Sequence, residues 1–368
     1  MKARYYILLL ALALIGTACE RTLDFMEVEE TSVSDLTLNA IAVTGTPLKV
    51  FLSHTYPINK TPTVSHIDEL TQLGPYNYGK GNTVYFDYVF WDYYKETAIY
   101  DAELKAVVNS NDIYTFTLAP DSIGFDCAYV PKEGDHIVLT ARSGGNEIEA
   151  ETTVPAKPQI EILETEEVGT NPYREYEGLA FNTDSLMRIT CHINDKGGEQ
   201  FYRLRVREER GVLSGSSVNN GPITWYTYYA MQDVFYSADA LFVDNRLNSN
   251  FGGWPAYFSN IFDNTLLTND YTFIVDSPKY MLYQTGGFID FYESQKTKPG
   301  RFYYSPKVMV ELQAITRDLY RYYKSMELYR ISSSDEFAEP VKIHSNVKNG
   351  WGIFGALNYD RHLVEFEY

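Results

Sequence analysis

Cysteine is scarce, with 3 in 368 residues. One of the three sits at position 19, so Cys127 and Cys191 alone cannot staple a disulfide framework. Positive charge is also short: 31 Lys and Arg stand against 49 Asp and Glu, a net charge of −18. A phosphate backbone repels such a chain, which excludes nucleic acid as a partner. No apolar run reaches the roughly 20 residues of a transmembrane helix, and heptads, low-complexity tracts and short-period repeats are missing. The six histidines (His54, His66, His136, His192, His344, His362) show no close ligand spacing, so no metal site is expected. Hydrophobic residues make up 45% and charged ones 22%, a mixture that excludes a disordered chain or a collagen. What is abundant is tyrosine: 32 Tyr with 20 Phe and 4 Trp favour strands and amphipathic surfaces over helical bundles.

The leader has a basic start at Lys2 and Arg4, an apolar run from Tyr5 to Ile15, and small residues Gly16-Thr17-Ala18 before Cys19. That is the layout of a secretory signal over residues 1–18. The cysteine directly behind small residues resembles the bacterial lipobox, which implies cleavage before Cys19 and its acylation, palmitate included. An ordinary signal with a chance cysteine would instead release a soluble protein. Residues 19–32 form an acidic tether: five acids and one Arg lie between Glu20 and Glu30, with no apolar period.

Beyond the tether, Leu36, Leu38, Ala40 and Ala42 alternate with polar partners, and a turn at Gly45-Thr46-Pro47 leads to a second run, Lys49–Ser53. Ile113–Leu118 reads as another strand. Ile137, Leu139 and Ala141 face Ile148 and Ala150 across Ser143-Gly144-Gly145-Asn146 as a hairpin. Residues 61–96 interrupt this series as an aromatic insertion, and Pro155-Ala156-Lys157-Pro158 closes the unit. Met187–Ile193 and Tyr202/Leu204/Val206 flank Asn194–Gly198 as a second expected hairpin. Residues 210–300 read as a further insertion, with strand candidates at Val234–Val243, Tyr271–Val275 and Gly287–Tyr292. Val308–Ala314 alternates as a strand before the period shifts to helical at Leu319, Tyr322, Tyr323, Met326 and Tyr329, with Thr316 or Asp318 available as N-cap. The expected fold is mostly β: tandem Ig-like β-sandwich domains over 33–155 and 159–368, with one C-terminal α-helix at about 317–331.

Gly350-Trp351-Gly352-Ile353-Phe354-Gly355 matches the spacing of a dinucleotide loop, but too little chain follows it for the helix and acid that such a site needs. Gly350, Gly352 and Gly355 therefore read as a structural turn feeding the last strand, with Trp351 and Phe354 packing onto the core, and no cofactor is expected. Gly211–Gly215 misses the nucleophile-elbow spacing by one residue. Asp244, Asn248 and Asn250 near Gly252 only loosely suggest a calcium loop. Cys191 falls on the apolar face of its strand, which puts it opposite His192 and argues against a Cys–His nucleophile. A buried thiol is the simpler reading, with a Cys127–Cys191 bridge as the alternative. Binding content is concentrated in two aromatic clusters, one with Tyr85, Tyr88, Trp91 and Tyr93, the other with Trp225, Tyr226 and Tyr228. Aromatic faces stack on sugars or line protein contacts, although alternating aromatics also make ordinary strands.

Taken with the leader, Asp101–Ala106, Thr153-Val154-Pro155 and above all Glu339–Ala356, with its Ser345-Asn346-Val347-Lys348-Asn349-Gly350-Trp351-Gly352-Ile353-Phe354-Gly355-Ala356 core, carry a resemblance. The chain resembles the Bacteroidota outer-membrane lipoprotein family catalogued as domain of unknown function 4249, across nearly its whole mature length. The long insertion at 61–96 departs from that pattern. The resemblance implies a β-rich, lipid-anchored outer-membrane protein, often associated with TonB-dependent receptors, and brings no catalytic residue. Acidic residues close behind the lipidated cysteine resemble a surface-export signal. The expectation is a non-enzymatic, surface-facing accessory. Acylated Cys19 would hold it to outer-membrane lipid, and it would work with a receptor barrel in capture or uptake of a small molecule, peptide or glycan. The alternative is a stand-alone glycan-binding or adhesion module. An enzyme would need paired carboxylates that nothing in the sequence singles out.

Overall fold

The computed structural model describes residues 35–55, 97–120, 124–169, 186–195, 197–214, 224–229, 235–244, 258–267, 270–278, 307–332 and 341–365. All of them belong to one compact unit, residues 35–368. In chain order the strands are β1 (Leu36–Val43), β2 (Lys49–His54), β3 (Glu103–Val108), β4 (Asp112–Thr115), β5 (Thr117–Leu118), β6 (Phe125–Asp126), β7 (His136–Ser143) and β8 (Asn146–Thr153). They continue with β9 (Ile160–Val168), β10 (Leu186–Asn194), β11 (Phe201–Ser214), β12 (Thr224–Tyr229), β13 (Ile261–Asp263), β14 (Asp270–Pro278), β15 (Lys307–Ile315) and β16 (Trp351–Glu365). Helix α1 (Arg317–Ser332) lies between β15 and β16. The chain is mostly β, as its tyrosine-rich aromatic content implies. No helix of the described residues is long and apolar enough to cross a membrane.

A nine-stranded sheet, in the order β12-β11-β15-β16-β1-β2-β6-β5 with β13 beside β11, forms a wall shared by two sandwiches. The four-stranded sheet β4-β3-β7-β8 stacks on one part of it and the three-stranded sheet β14-β10-β9 on the other. Two separate cores result. The first gathers Leu36, Leu38 and Ala40 from β1 with Leu104, Leu139 and Ile148 of the smaller sheet. The second gathers Ile189, Cys191 and Ile193 from β10 with Leu204, Val206, Val310 and Leu312. Each fully buried Leu, Ile or Phe side chain contributes about 1.5–3 kcal/mol, so alternation along these strands supplies the driving force. The 15-residue β16 serves both cores, with Phe354 and Ala356 in the first and Val364 in the second.

β16 runs parallel to β1, in register from Thr37 beside Trp351 to Val43 beside Leu357, and antiparallel to β15. Strands far apart in sequence thus become neighbours, and the sheet passes continuously across the Pro155–Pro158 segment. Asn358 on β16 donates its side-chain N–H to the Pro155 carbonyl at 3.2 Å. On the other face of the sheet, α1 seats Leu319 among Ile315, Ile353 and Leu357. The helix spans 317–332, one residue more than its period predicts. Thr316 precedes it, but its hydroxyl accepts from the backbone N–H of Ala356 at 3.3 Å, tying the start of the helix to β16.

Several local readings hold. β1 and β2 pair antiparallel, and β7 and β8 close on Ser143 and Asn146 with Gly144 and Gly145 at positive φ, as a two-residue hairpin turn requires. The expected strand Ile113–Leu118 breaks at Phe116 into β4, which pairs with β3, and β5, which pairs with β6, so the chain switches sheets there. The expected β10–β11 hairpin is a correction. β10 pairs with β9 and β14, whereas β11 pairs with β12, β13 and β15, so the two strands face each other across the second core. Buried Asp195 holds this arch, accepting from the Tyr202 hydroxyl at 2.8 Å and from Asn264 Nδ2 at 2.9 Å. Of the expected strands in 210–300, Tyr271–Val275 lies within β14, whereas Phe235–Val243 carries a 3₁₀ turn at Ala240–Phe242. Gly287–Tyr292 and all of 61–96 fall outside the described residues.

Both body cysteines are free and buried, one in each core. Burial pushes the Cys191 thiol up to about 12 and also raises that of Cys127. These are packing residues, inert as nucleophiles at neutral pH.

Candidate functional site

The Ser345–Gly355 segment is the part of the molecule most constrained by geometry. Asn346 accepts from Phe354 N–H at 2.9 Å and donates to Phe354 O at 2.8 Å, so its amide acts as an extra strand residue beside β16. A Cβ on Gly350 would come within 2.7 Å of Ile148 and 2.8 Å of Leu36 O. Gly352 has φ +107°, and a Cβ there would lie 2.0 Å from Leu38 O. A Cβ on Gly355 would meet the Leu319 side chain at 2.8 Å. Gly350 stands just ahead of β16, while Gly352 and Gly355 lie inside it. The first two let β16 lie against β1 and β8, and the third lets α1 approach the sheet. Their spacing serves strand and helix packing. Phe354 is buried in the first core as expected, but Trp351 is 42% exposed, because the β1 register carries it to the sheet's end.

The same closure shapes a cleft of about 570 Å³ where the first sandwich, the β10–β11 arch and the start of α1 meet. His136, Glu151 and Pro155 line one side, Glu199 and Gln200 another, and Thr316, Arg317 and Asp318 the third. The polar groups are held in pairs: His136 with Glu151 at 3.4 Å, Arg317 with Glu199, and His344 with Asp318 at 2.9 Å. Exposed pairs of this kind add little to stability and re-form easily around a polar ligand. The cleft therefore offers charged and hydrogen-bonding groups of both signs, and suits a small polar molecule or a peptide end better than an apolar one.

Two buried ionic clusters lie beyond the apolar patch under α1. On β11, Arg203, Arg205 and Arg207 alternate with the core residues Leu204 and Val206. Glu311 on β15, 2% exposed, accepts from Arg361 Nε at 2.8 Å, Arg207 Nη2 at 3.5 Å and Gln313 Nε2 at 2.7 Å. Burial pushes its carboxyl up, but Arg207 and Arg361 outweigh that and hold it below the ordinary range. The second cluster fixes α1 sideways: Lys324 Nζ reaches Ser259 Oγ at 2.7 Å, Asp244 at 3.1 Å and Glu327 at 3.4 Å. Burial, with Asp244 close by, raises the Glu327 carboxyl. Neither cluster was picked out from the sequence. The Arg-Leu-Arg-Val-Arg alternation of 203–207, in so acidic a chain, was the available signal.

Among the residues singled out for binding, Trp225, Tyr226 and Tyr228 lie on β12, paired through Leu213, Val212 and Arg210 of β11. Tyr85, Tyr88, Trp91 and Tyr93 lie outside the described residues, as do Cys19 and the tether. Each described histidine has an acidic neighbour: His54 has Asp35, His192 has Asp270 and His362 has Asp360, besides the two pairs at the cleft. Asp244, the first residue of the loose calcium pattern, pairs with Lys324. Among the described residues no three His, Cys, Asp or Glu side chains gather in a way that could hold a metal ion.

A family model described as "Domain of unknown function (DUF4249)" matches residues 23–362. Nothing matches among curated proteins or among solved structures.

Proposed function

The chain belongs to the family described as a domain of unknown function (DUF4249), and from that premise we propose that it is a non-enzymatic, lipid-anchored accessory of an outer-membrane TonB-dependent receptor, facing the cell exterior. The observation that carries the reading is Cys19, placed directly behind Gly16-Thr17-Ala18 and an apolar run, and ahead of an acidic stretch. Acyl chains contribute about 0.8 kcal/mol per buried CH₂, so several on one residue hold a protein on a membrane durably. The match to the family begins at residue 23, beyond this cysteine. That fits a leader and anchor placed ahead of the folded body.

In this reading the polar cleft between His136, Glu199 and Arg317 receives a small molecule, peptide or glycan and passes it to the barrel. Pairs that re-form easily suit reversible capture. Purification from membranes in mild detergent tests the proposal, and a β-barrel protein is expected to co-elute in stoichiometric amount. A preparation free of any barrel, yet retained on a glycan column, would replace this reading with the stand-alone adhesion module.

A further inference from the structure

The tether joins the folded body at Asp35, and what surrounds that point is fixed by strand pairing. Thr55 N–H donates to Asp35 O at 2.7 Å, and His54 Nδ1 lies 2.8 Å from Asp35 Oδ2. Ala98 bridges Ser53, and Ile99 N–H donates to Leu52 O at 3.0 Å, so the chain leaves this end at Thr55 and returns to it at Thr97. The parallel register puts Trp351 beside Thr37, two residues from the tether's entry. Among the described residues, two large aromatic side chains are exposed here, Tyr100 at 47% and Trp351 at 42%. Trp351 is held between Gly350 and Gly352, which pin its backbone against β1, so the indole is presented from a rigid strand.

Resting on the lipoprotein reading, we infer that this end of the first sandwich is a membrane-contact surface, with Trp351 and Tyr100 seated at the lipid headgroup boundary. The length of the tether argues for it. From Cys19 to Asp35 the chain extends at most about 3.3–3.6 Å per residue, so its sixteen steps reach no further than roughly 53–58 Å. Asp35 is therefore confined to within that reach of the lipid, and the end carrying it is the one the anchor draws toward the surface. Tryptophan and tyrosine favour that boundary, because their rings are apolar and their N–H and O–H groups stay hydrated. The full chain's net charge of −18 gives no electrostatic attraction to anionic lipid, so these rings supply the contact. The occupant is the lipid surface. The orientation has a consequence for the cleft. Ile315, which lines it, pairs with Leu357, six residues along β16 from Trp351. At about 3.3 Å per residue that is roughly 20 Å from the membrane-facing end.

The test uses the unacylated mature chain beginning at Cys19, coupled through that thiol to a maleimide-bearing lipid in phosphatidylethanolamine–phosphatidylglycerol vesicles with brominated acyl chains. Cys127 and Cys191 are buried and do not compete for the maleimide. The Trp351 signal is the difference between this chain and Trp351→Phe, whose fold is checked by circular dichroism. At least a twofold loss of that signal on brominated vesicles, relative to unbrominated ones, is expected. A tryptophan placed at the cleft rim by Thr153→Trp should lose none. An unquenched Trp351, or a rim tryptophan quenched as strongly, would overturn the inference. Because the tether is attached chemically, either failure speaks against the orientation alone and leaves the acylation of Cys19 to its own experiment.

Discussion

Replacing Gly352 with alanine is expected to cost about 4 kcal/mol or more, enough to leave little folded protein in a chain of ordinary stability. Two penalties coincide at this position. The backbone sits at φ +107°, a conformation that L side chains rarely adopt, and the added Cβ would stand 2.0 Å from Leu38 O and 3.1 Å from Asn39 Oδ1. The nearest obstacle is backbone, which cannot rotate away as a side chain would. Relief requires parting β16 from β1, and with it the wall both sandwiches share. Gly134→Ala provides the control. Its φ is +82° but nothing lies within 4 Å, so only the conformational cost of about 1 kcal/mol should appear. Gly355→Ala should fall between them, because its backbone carries no positive-φ strain but the added Cβ would stand 2.8 Å from Leu319 Cβ, so that α1 itself has to move outward. Urea denaturation followed by circular dichroism ranks the three. If Gly352→Ala proved no worse than Gly134→Ala, the parallel closure would be wrong.

Glu311→Ala should cost about 3–5 kcal/mol, the usual penalty for removing one partner of a buried ionic cluster. The change takes the shared acceptor from Arg207, Arg361 and Gln313 and leaves the guanidinium charges close together. Glu311→Gln keeps the shape and should recover part of the loss. The pH dependence identifies the cause. The folded-state pKa of Glu311 is depressed, so its contribution is complete above the ordinary carboxylate pKa of about 4.3 and is lost as pH falls through the folded value. Asp135 and Asp360 act with the same sign. Burial pushes each up, but hydrogen bonds from Tyr129 and Asn109 in one case, and from Lys157 and Ile160 N–H in the other, bring them below the ordinary range. Glu327 acts with the opposite sign. Its raised pKa favours the folded state at low pH, and that contribution fades as pH rises through the folded value. Urea midpoints at pH 6 and pH 3 should therefore converge in Glu311→Gln relative to the wild type. An unchanged difference would show that Glu311 does not carry the acid sensitivity.

Alternation was enough to read which residues of β1, β7, β8 and β15 turn inward, because a strand's period of two fixes its faces whatever its partner. The same holds for α1, where Leu319, Tyr322 and Tyr323 mark one side of a 3.6-residue period. Partners are a different matter. Tyr202, Leu204 and Val206 look the same whether β11 turns back beside β10 or crosses to face it, and only Asp195 and Asn264, 69 residues apart, settle the choice. Nothing local in Leu36–Val43 announces that β16 will lie beside it in parallel. The glycines at 350, 352 and 355 were legible as backbone requirements, but not as contacts with Leu36, Leu38 and Leu319, which depend on that pairing. The cleft was illegible for the same reason, since His136, Glu199 and Arg317 meet only after the sheet has closed.

Metabolic labelling with palmitate tests the central claim most directly. Wild-type protein should carry the label and sediment with the outer membrane. Cys19→Ala should carry none and appear in the soluble fraction, with its urea midpoint unchanged. An unlabelled wild type, or a Cys19→Ala variant that fractionates as before, would contradict the account.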